Sequence, residues 1–251
     1  MIDLHSHILP GVDDGAATLA DSLSIASACV RSGVTTLAAT PHVRPDYLTS
    51  AATMEELVHR VQSTLEETGI PLDVRRGGEI SLDTIDDLAD EELHRFGLGG
   101  NPSYLLVEFS YYGWPLGLGA VLARLDALGI TAVLAHPERN AEVQADPERL
   151  RPAVERGALV QVTAASLDGR GSRAARETGL ALVRNGLAHL LASDAHRAEV
   201  REAGMQAAAR TVGEEALARW LTEEVPGAIV TGEPIPPRPR PSARRRRWSR
   251  G

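Results

Sequence analysis

The chain has 251 residues, 43% of them hydrophobic and 24% charged, with a formal net charge of −8, a size and composition that suit one large globular domain. No apolar run reaches the ~18 residues of a membrane span, the N-terminus lacks a basic stretch leading into an apolar one, and a lone cysteine, Cys29, excludes an internal disulfide, so the expected setting is cytoplasmic without membrane insertion. All 26 basic residues are arginine, which excludes chemistry needing a lysine amine; the fourteen residues from Arg238 hold seven of them and no acid, leaving the preceding body at −15 and arguing against a nucleic-acid surface.

Residues 2–5 alternate apolar and polar as a first strand, and lead into Asp3-Leu4-His5-Ser6-His7. Strand side chains two apart share a face, so His5 and His7 can bind one ion. Asp14 precedes Gly15, whose freedom at positive φ is expected to turn the carboxylate back toward them. Thr18-Leu19-Ala20-Asp21 is a capping box before an apolar-periodic helix that stops at Gly33. Strand two, 34–39, ends in Thr40-Pro41-His42. A helix from Thr53 to Thr68 closes at Gly69, and strand three, 72–76, leads into Gly77-Gly78-Glu79.

Residues 82–96 read as helical or irregular. Strand four, 104–109, carries Glu108 near its end, and helix 117–128 closes at Gly129. Strand five, 130–135, ends in His136-Pro137-Glu138-Arg139-Asn140. Helix 147–156, strand 158–163 and helix 172–185 follow. Strand seven, 187–192, ends in Ser193-Asp194-Ala195-His196, and helices 198–212 and 213–222 finish the body. Seven strands alternating with helices predict an α/β fold, a parallel sheet covered by helices and closed or nearly closed into a barrel. From Pro234 the composition turns to Pro and Arg, which cannot build a core; residues 233–251 are expected to form a disordered tail on a domain spanning 1–232.

His5, His7, His42, Glu79, Glu108, His136, Asp194 and His196 all lie at strand ends, where parallel α/β folds build their sites. Five of the eight histidines fall there; His59, His94 and His189 do not. Imidazole with carboxylate and no thiolate suits Zn, Mn or Fe, and with Asp14 there are too many ligands for one ion. Such a cluster points to hydrolysis, with phosphate esters as leading substrates. Arg139 and Arg201 supply forks that match phosphate oxygens. Tyr111, Tyr112 and Trp114 are candidates to stack on an aromatic substrate.

The set H-S-H…D-D-G, T-P-H, G-G-E, V-E-F, H-P-E-R and S-D-A-H resembles the polymerase-and-histidinol-phosphatase (PHP) superfamily of metal-dependent phosphoesterases. The opening M-I-D-L-H-S-H-I-L-P-G-V-D-D-G-A with A-T-P-H and A-H-P-E-R-N is similar to the bacterial PHP-type protein-tyrosine phosphatases over about residues 1–232. The resemblance implies a distorted (β/α)7 TIM-like barrel with three divalent metals, manganese foremost, iron and zinc being compatible. It places His5, His7, Glu79 and Asp194 on one metal, Glu79, Glu108 and His136 on a second, and Asp14, His42 and His196 on a third. Arg139 and Arg201 match positions that contact phosphate.

The activity it implies is hydrolysis of phosphotyrosine by metal-activated hydroxide. The implied partner is a phosphorylated tyrosine autokinase of capsule or exopolysaccharide synthesis; the oligomeric state stays open. Alternatives are another PHP phosphomonoesterase, acting on histidinol phosphate or nucleotides, or a non-catalytic metal-binding scaffold. A cysteine phosphatase is excluded, because position six beyond Cys29 is Thr35 rather than arginine.

Overall fold

The computed structural model describes residues 1–198 and 204–240. Ten short strands appear: β1 (Ile2–Asp3), β2 (Thr36–Ala39), β3 (His42–Arg44), β4 (Tyr47–Leu48), β5 (Asp73–Arg76), β6 (Glu79–Ser81), β7 (Tyr104–Glu108), β8 (Thr131–Ala135), β9 (Leu159–Thr163) and β10 (Leu190–Ala192). They form a three-stranded sheet in the order β1-β2-β5 and a seven-stranded sheet in the order β10-β9-β8-β7-β6-β3-β4. Every pairing is parallel except β3 with β4. The fold is mixed α/β, its central strands buried on both faces because helices cover them: Leu105, Leu106, Val107, Val133, Leu134, Val160 and Val162 are all fully buried.

Ten strands stand where seven were expected: two of them are interrupted and resume as β3 and β6, and β4 adds an antiparallel edge strand after β3. Thr40-Pro41 separates β2 from β3, and Gly77-Gly78 separates β5 from β6. At the second break the chain runs so close to the Phe96 ring that a Cβ on Gly78 would lie 2.5 Å from it. Each interruption shifts the chain before it pairs again, with His42 opposite Glu79 at the start of the resumed strands. At the other edge, Ser6 and Ala195 form a parallel bridge, with His7 N–H donating to Ala195 O at 2.9 Å and Asp194 N–H to His5 O at 2.8 Å. These bonds tie the segment after β1 to the segment after β10.

Helix boundaries follow the capping residues. Thr18 and Asp21 make the expected reciprocal capping box on helix Leu19–Arg31. Helix Ala51–Thr68 starts two residues earlier than expected, because the Ser50 hydroxyl rather than a later residue caps it, and it ends at Gly69 with φ of 69°. The final helical stretch runs beyond 222: Glu215–Arg219 continues through Trp220–Glu224 into Val225–Thr231, closed by Gly232. Among the described residues no helix is long and apolar enough to cross a membrane.

The expectation of a disordered tail from 233 fails for residues 233–240. Ile235 packs against the core, Trp220 Nε1 donates to Pro236 O at 2.9 Å, and the Arg238 guanidinium donates to Val183 O at 2.6 Å and Ala188 O at 3.1 Å. A composition that cannot build a core can still dock on one through an apolar side chain and backbone carbonyls at and beyond a helix end. Residues 241–251 lie outside the described residues.

Candidate metal centre

Nine side chains drawn from seven separate segments converge, His42 and Glu79 where β3 and β6 resume and the others at or beyond strand ends, and their donor atoms fall into four groups. These are His5, His7 and Asp194; His5, Glu79 and His136; His42, Glu79 and Glu108; and His7, Asp14, His42 and His196. Within each, one ligand atom per residue lies within 4.8 Å of the others. The set His5, His7, Glu79 and Asp194 is compact, with Nε2 of each histidine 3.3 Å from Glu79 Oε2 and 3.3–3.5 Å from Asp194 Oδ1. His136 Nε2 is 2.8 Å from Glu79 Oε1. Glu108 is 3.6 Å from His42 and 3.8 Å from His136, so it stands between two groups rather than wholly with Glu79 and His136. Asp14 Oδ1 is 3.5 Å from His42 and 3.3 Å from His196.

The centre has the polarity of a cation site. Gln161 Oε1 accepts from the backbone N–H of His136 at 3.2 Å, which fixes the amide's orientation, and lies 3.0 Å from His5 Nδ1. His5 therefore carries its proton on Nδ1 and offers a bare Nε2. Asp13 Oδ2, 2.8 Å from His7 Nδ1, does the same for His7. The two Nε2 atoms then face each other at 3.3 Å. Two nitrogens bound to one ion at about 2.0–2.1 Å, with angles near 90–110°, are separated by about 3.0–3.4 Å. Glu79 Oε2 is buried without a hydrogen bond although three imidazoles surround it, His42 Nδ1 at only 2.9 Å, and that nitrogen too lacks a hydrogen bond. Acceptors converging on an unsatisfied carboxylate fit divalent cations.

The same crowding moves the pKa values. Burial alone would raise Glu79 and Asp194, but the imidazoles, His5 foremost, hold both carboxyls well below their usual range. Burial would lower His7, yet Asp13, Asp194 and Glu79 hold it well above. Burial, then the Arg139 cation, pushes His136 down to about 4; burial, then the Glu79 charge, pushes Glu108 up to about 7. With no cation bound His7 is thus drawn toward its protonated form, a charge that a cation on the bare Nε2 atoms would replace.

His136 (φ 34°) and Asp194 (φ 53°) are the described non-glycine residues with positive φ. Both follow a strand directly or by one residue, and the strained backbone turns their side chains into the centre. Gly15, by contrast, is not at positive φ; the expectation of that conformation is replaced by a steric reason. A Cβ there would lie 2.1 Å from His7 O, so the Asp13–Asp14 loop folds back onto His7 only because residue 15 has no side chain.

Arg139 sits on the turn after His136 and donates to Asp194 Oδ2 at 2.6 Å and to the Tyr111 hydroxyl at 3.3 Å, bordering the centre with a cation. Arg201 lies outside the described residues. Tyr111 also meets His136 edge-on, while Tyr112 is exposed and Trp114 lies under the Arg149 guanidinium, so only Tyr111 of the three aromatic candidates touches the centre. Sequence reasoning missed the supporting role of Asp13 and Gln161 behind the histidines, and also Arg44, which lies 3.5 Å from Glu108 and over the ring of Tyr47, itself parallel to His42. Cys29 is buried in its helix and burial, then Asp3, raises its thiol far above the ordinary range.

Comparison with known proteins matches residues 1–226 to the family model described as capsular polysaccharide synthesis, CpsB/CapC. Tyrosine-protein phosphatase YwqE of Bacillus subtilis is 38% identical over 204 residues, covering 80% of this chain and 79% of that protein. Tyrosine-protein phosphatase CpsB of Streptococcus agalactiae is 30% identical over 211 residues, covering 80% and 85%. A solved chain from the study of YwqE from Bacillus subtilis and CpsB from Streptococcus pneumoniae, described there as unique metal-dependent tyrosine phosphatases, superposes with a TM-score of 0.86 at 36% identity, covering 96% of this chain and 99% of that one. A β-aspartyl dipeptidase from Fervidobacterium islandicum, at 15% identity and a TM-score of 0.56, shares the fold alone.

Proposed function

The chain belongs to the capsular polysaccharide synthesis CpsB/CapC family, and from that premise we propose that it is a metal-dependent tyrosine phosphatase whose centre is the nine-residue cluster around Glu79. The observation that carries this reading is the buried, unsatisfied Glu79 Oε2 ringed by the nitrogens of His5, His7 and His42. Three cations account for nine ligands: His5, His7, Glu79 and Asp194 for one, Glu79, Glu108 and His136 for another, Asp14, His42 and His196 for a third, with manganese the leading candidate. When bound, divalent cations supply Lewis acidity and positive charge for activating water and neutralising phosphate.

The chain's own groups do the rest. Arg139, already at the rim, exchanges Asp194 for a phosphate oxygen and holds the ester through a charge-assisted bond. Tyr111, bonded to Arg139 and packed edge-on against His136, offers its ring to the substrate's phenyl ring. The departing tyrosinate has a conjugate acid of pKa about 10, so no strong acid is needed to expel it. Cys29, buried and with its thiolate disfavoured, takes no part. Arg201 is a second candidate for phosphate.

The barrel reading, a distorted (β/α)7 arrangement, is supported by the backbone bonds joining Ser6 and His7 to Ala195. We read residues 1–232 as its catalytic domain, the substrate as a phosphorylated tyrosine autokinase, and the single reduced cysteine as fitting a cytoplasmic setting. The test is hydrolysis of a phosphotyrosine peptide beside histidinol phosphate by metal-stripped protein, with and without added manganese. Preferential, metal-dependent release from the peptide is expected; preference for histidinol phosphate would overturn the substrate, and no turnover of either would overturn the enzyme.

A further inference from the structure

The segment that follows Glu108 leads away from the centre into a groove of about 350 Å³ bordered by Trp114, Leu116, Leu118, Leu122, Arg149 and Arg156. Its walls are apolar and its charged residues are arginines alone. Arg149 lies 5.2 Å over the Trp114 ring and pairs with Glu142; Arg156 is exposed with no ion-pair partner among the described residues. On its border Leu116 stands 94% exposed, and Tyr112, four residues earlier in the chain, 83%, unusual for large apolar side chains. The stretch between centre and groove is held in place: Asn140, next to Arg139, donates to Ser110 O at 2.7 Å and Gly113 O at 2.9 Å, and Ala141 N–H donates to Tyr111 O at 2.8 Å.

Resting on the phosphatase reading, we infer that this groove binds the polypeptide flanking the phosphotyrosine, and that it selects apolar and acidic residues there. The argument joins reach to charge. Tyr111 touches both Arg139 and His136, and Leu116 lies five residues on, within ~17 Å of chain. An extended peptide with its phosphate at Arg139 therefore enters the groove within about five residues of the phosphotyrosine. Apolar side chains fill the space over Leu118 and Leu122, and an acidic one pairs with Arg156. The protein's own Arg-rich C-terminal segment is a poor occupant, because its charge has the same sign as the groove's.

The test uses the full-length, manganese-loaded protein, its variants Leu116→Asp and Arg156→Glu, and three substrates. These are a phosphotyrosine peptide with Leu and Glu within five positions of the phosphotyrosine, the same peptide with Ser and Arg there, and p-nitrophenyl phosphate. The first peptide is expected to exceed the second in kcat/KM by about tenfold, and each variant to lower the ratio of the first peptide to p-nitrophenyl phosphate by about fivefold, as loss of interface anchors does. Turnover with that ratio unchanged would overturn the groove and leave the phosphatase standing, as would a dimer that Leu116→Asp dissociates without changing the ratio. No turnover of any of the three by the parent protein would overturn both.

Discussion

Asp13 Oδ2 lies 2.8 Å from His7 Nδ1, and the same carboxylate accepts from the backbone N–H of Gly15 at 2.9 Å and of His42 at 3.1 Å. It thereby locks the tautomer and the ring orientation of His7 while tying the first loop to the strand that carries His42. A carboxylate behind a ligating histidine is worth about 10–100-fold in metal affinity. Asp13→Ala should lower manganese affinity by about that factor, read by calorimetric titration of the stripped protein; affinity equal to the parent's would remove Asp13 from the centre.

Among the described residues Arg139 is the arginine nearest the carboxylates of the centre, bonded to Asp194 at 2.6 Å. If it transfers to phosphate during turnover, Arg139→Ala should cost about 10²–10³ in kcat/KM on p-nitrophenyl phosphate, the scale of losing one preorganised charge donor. Arg139→Lys keeps the charge but not the fork that also reaches the Tyr111 hydroxyl, so it should recover only part of the loss. Full recovery in the lysine variant would show that charge alone suffices.

The centre was legible because parallel strands deliver their last residues to one rim, and His5, His136 and Asp194 are visible in the chain as polar residues ending apolar runs. Asp14 was legible as the ligand from its place before Gly15, and the structure gives it and its neighbour Asp13 different partners: Asp14 faces His42 and His196, Asp13 the far side of His7. Gln161 was not legible. It sits in β9, where all five residues are buried, so alternation carries no signal and a glutamine looks like any core-facing residue. Nor was Arg44, because β3 resumes pairing after Pro41, where the strand was expected to have ended. The Gly15 close approach depends on a backbone contact eight residues back, which local propensity does not encode.

Removing metal should destabilise as well as inactivate. Without a cation the buried carboxylates Glu79 and Asp194 are offset by the surrounding imidazoles, His5 foremost, and Asp194 also by Arg139. A ligand at about 100 times its Kd stabilises by ~2.7 kcal/mol, which for a chain of this size shifts Tm by about 5–10 °C. Chelated protein should melt lower by that amount and recover on adding manganese. Identical melting curves with and without the ion would contradict binding at this cluster.

A second pH-sensitive group lies away from the centre. Burial, then the nearby Arg238 cation, pushes His189 down to about 4, and its Nδ1 accepts from Val160 N–H at 3.2 Å. Its folded pKa lies below the unfolded value of about 6.5, so the unfolded chain binds the extra proton between those values. The neutral ring's contribution is complete above pH ~6.5 and is lost as pH falls toward 4, amounting to at most about 2 kcal/mol at pH 5. His189→Gln should therefore show a smaller fall in Tm from pH 7.5 to 5 than the parent. An equal fall would mean that other groups carry the acid sensitivity.

Residues 233–240 should act as a structural strap although they lack secondary structure. After Gly232 ends the last helix at φ 74°, Ile235 packs against the core, and Pro236 O takes the otherwise unmet indole N–H of Trp220. Arg238 then donates to Val183 O, in the last turn of helix Arg173–Arg184, and to Ala188 O beyond it, with its guanidinium 5.5 Å over Trp220. A cation on the helix-terminal carbonyl of Val183 meets the negative end of the dipole, and charge-assisted bonds of this kind are worth about 1–3 kcal/mol. Two truncations separate the strap from the arginine run beyond it. A chain ending at Arg240 should unfold in urea at the midpoint of the full chain, while one ending at Gly232 should unfold measurably earlier, and Arg238→Ala should fall between them. If the chain ending at Gly232 matched the full chain, the contacts of Ile235, Pro236 and Arg238 would be ornaments of the fold, and the domain would end where its last helix does.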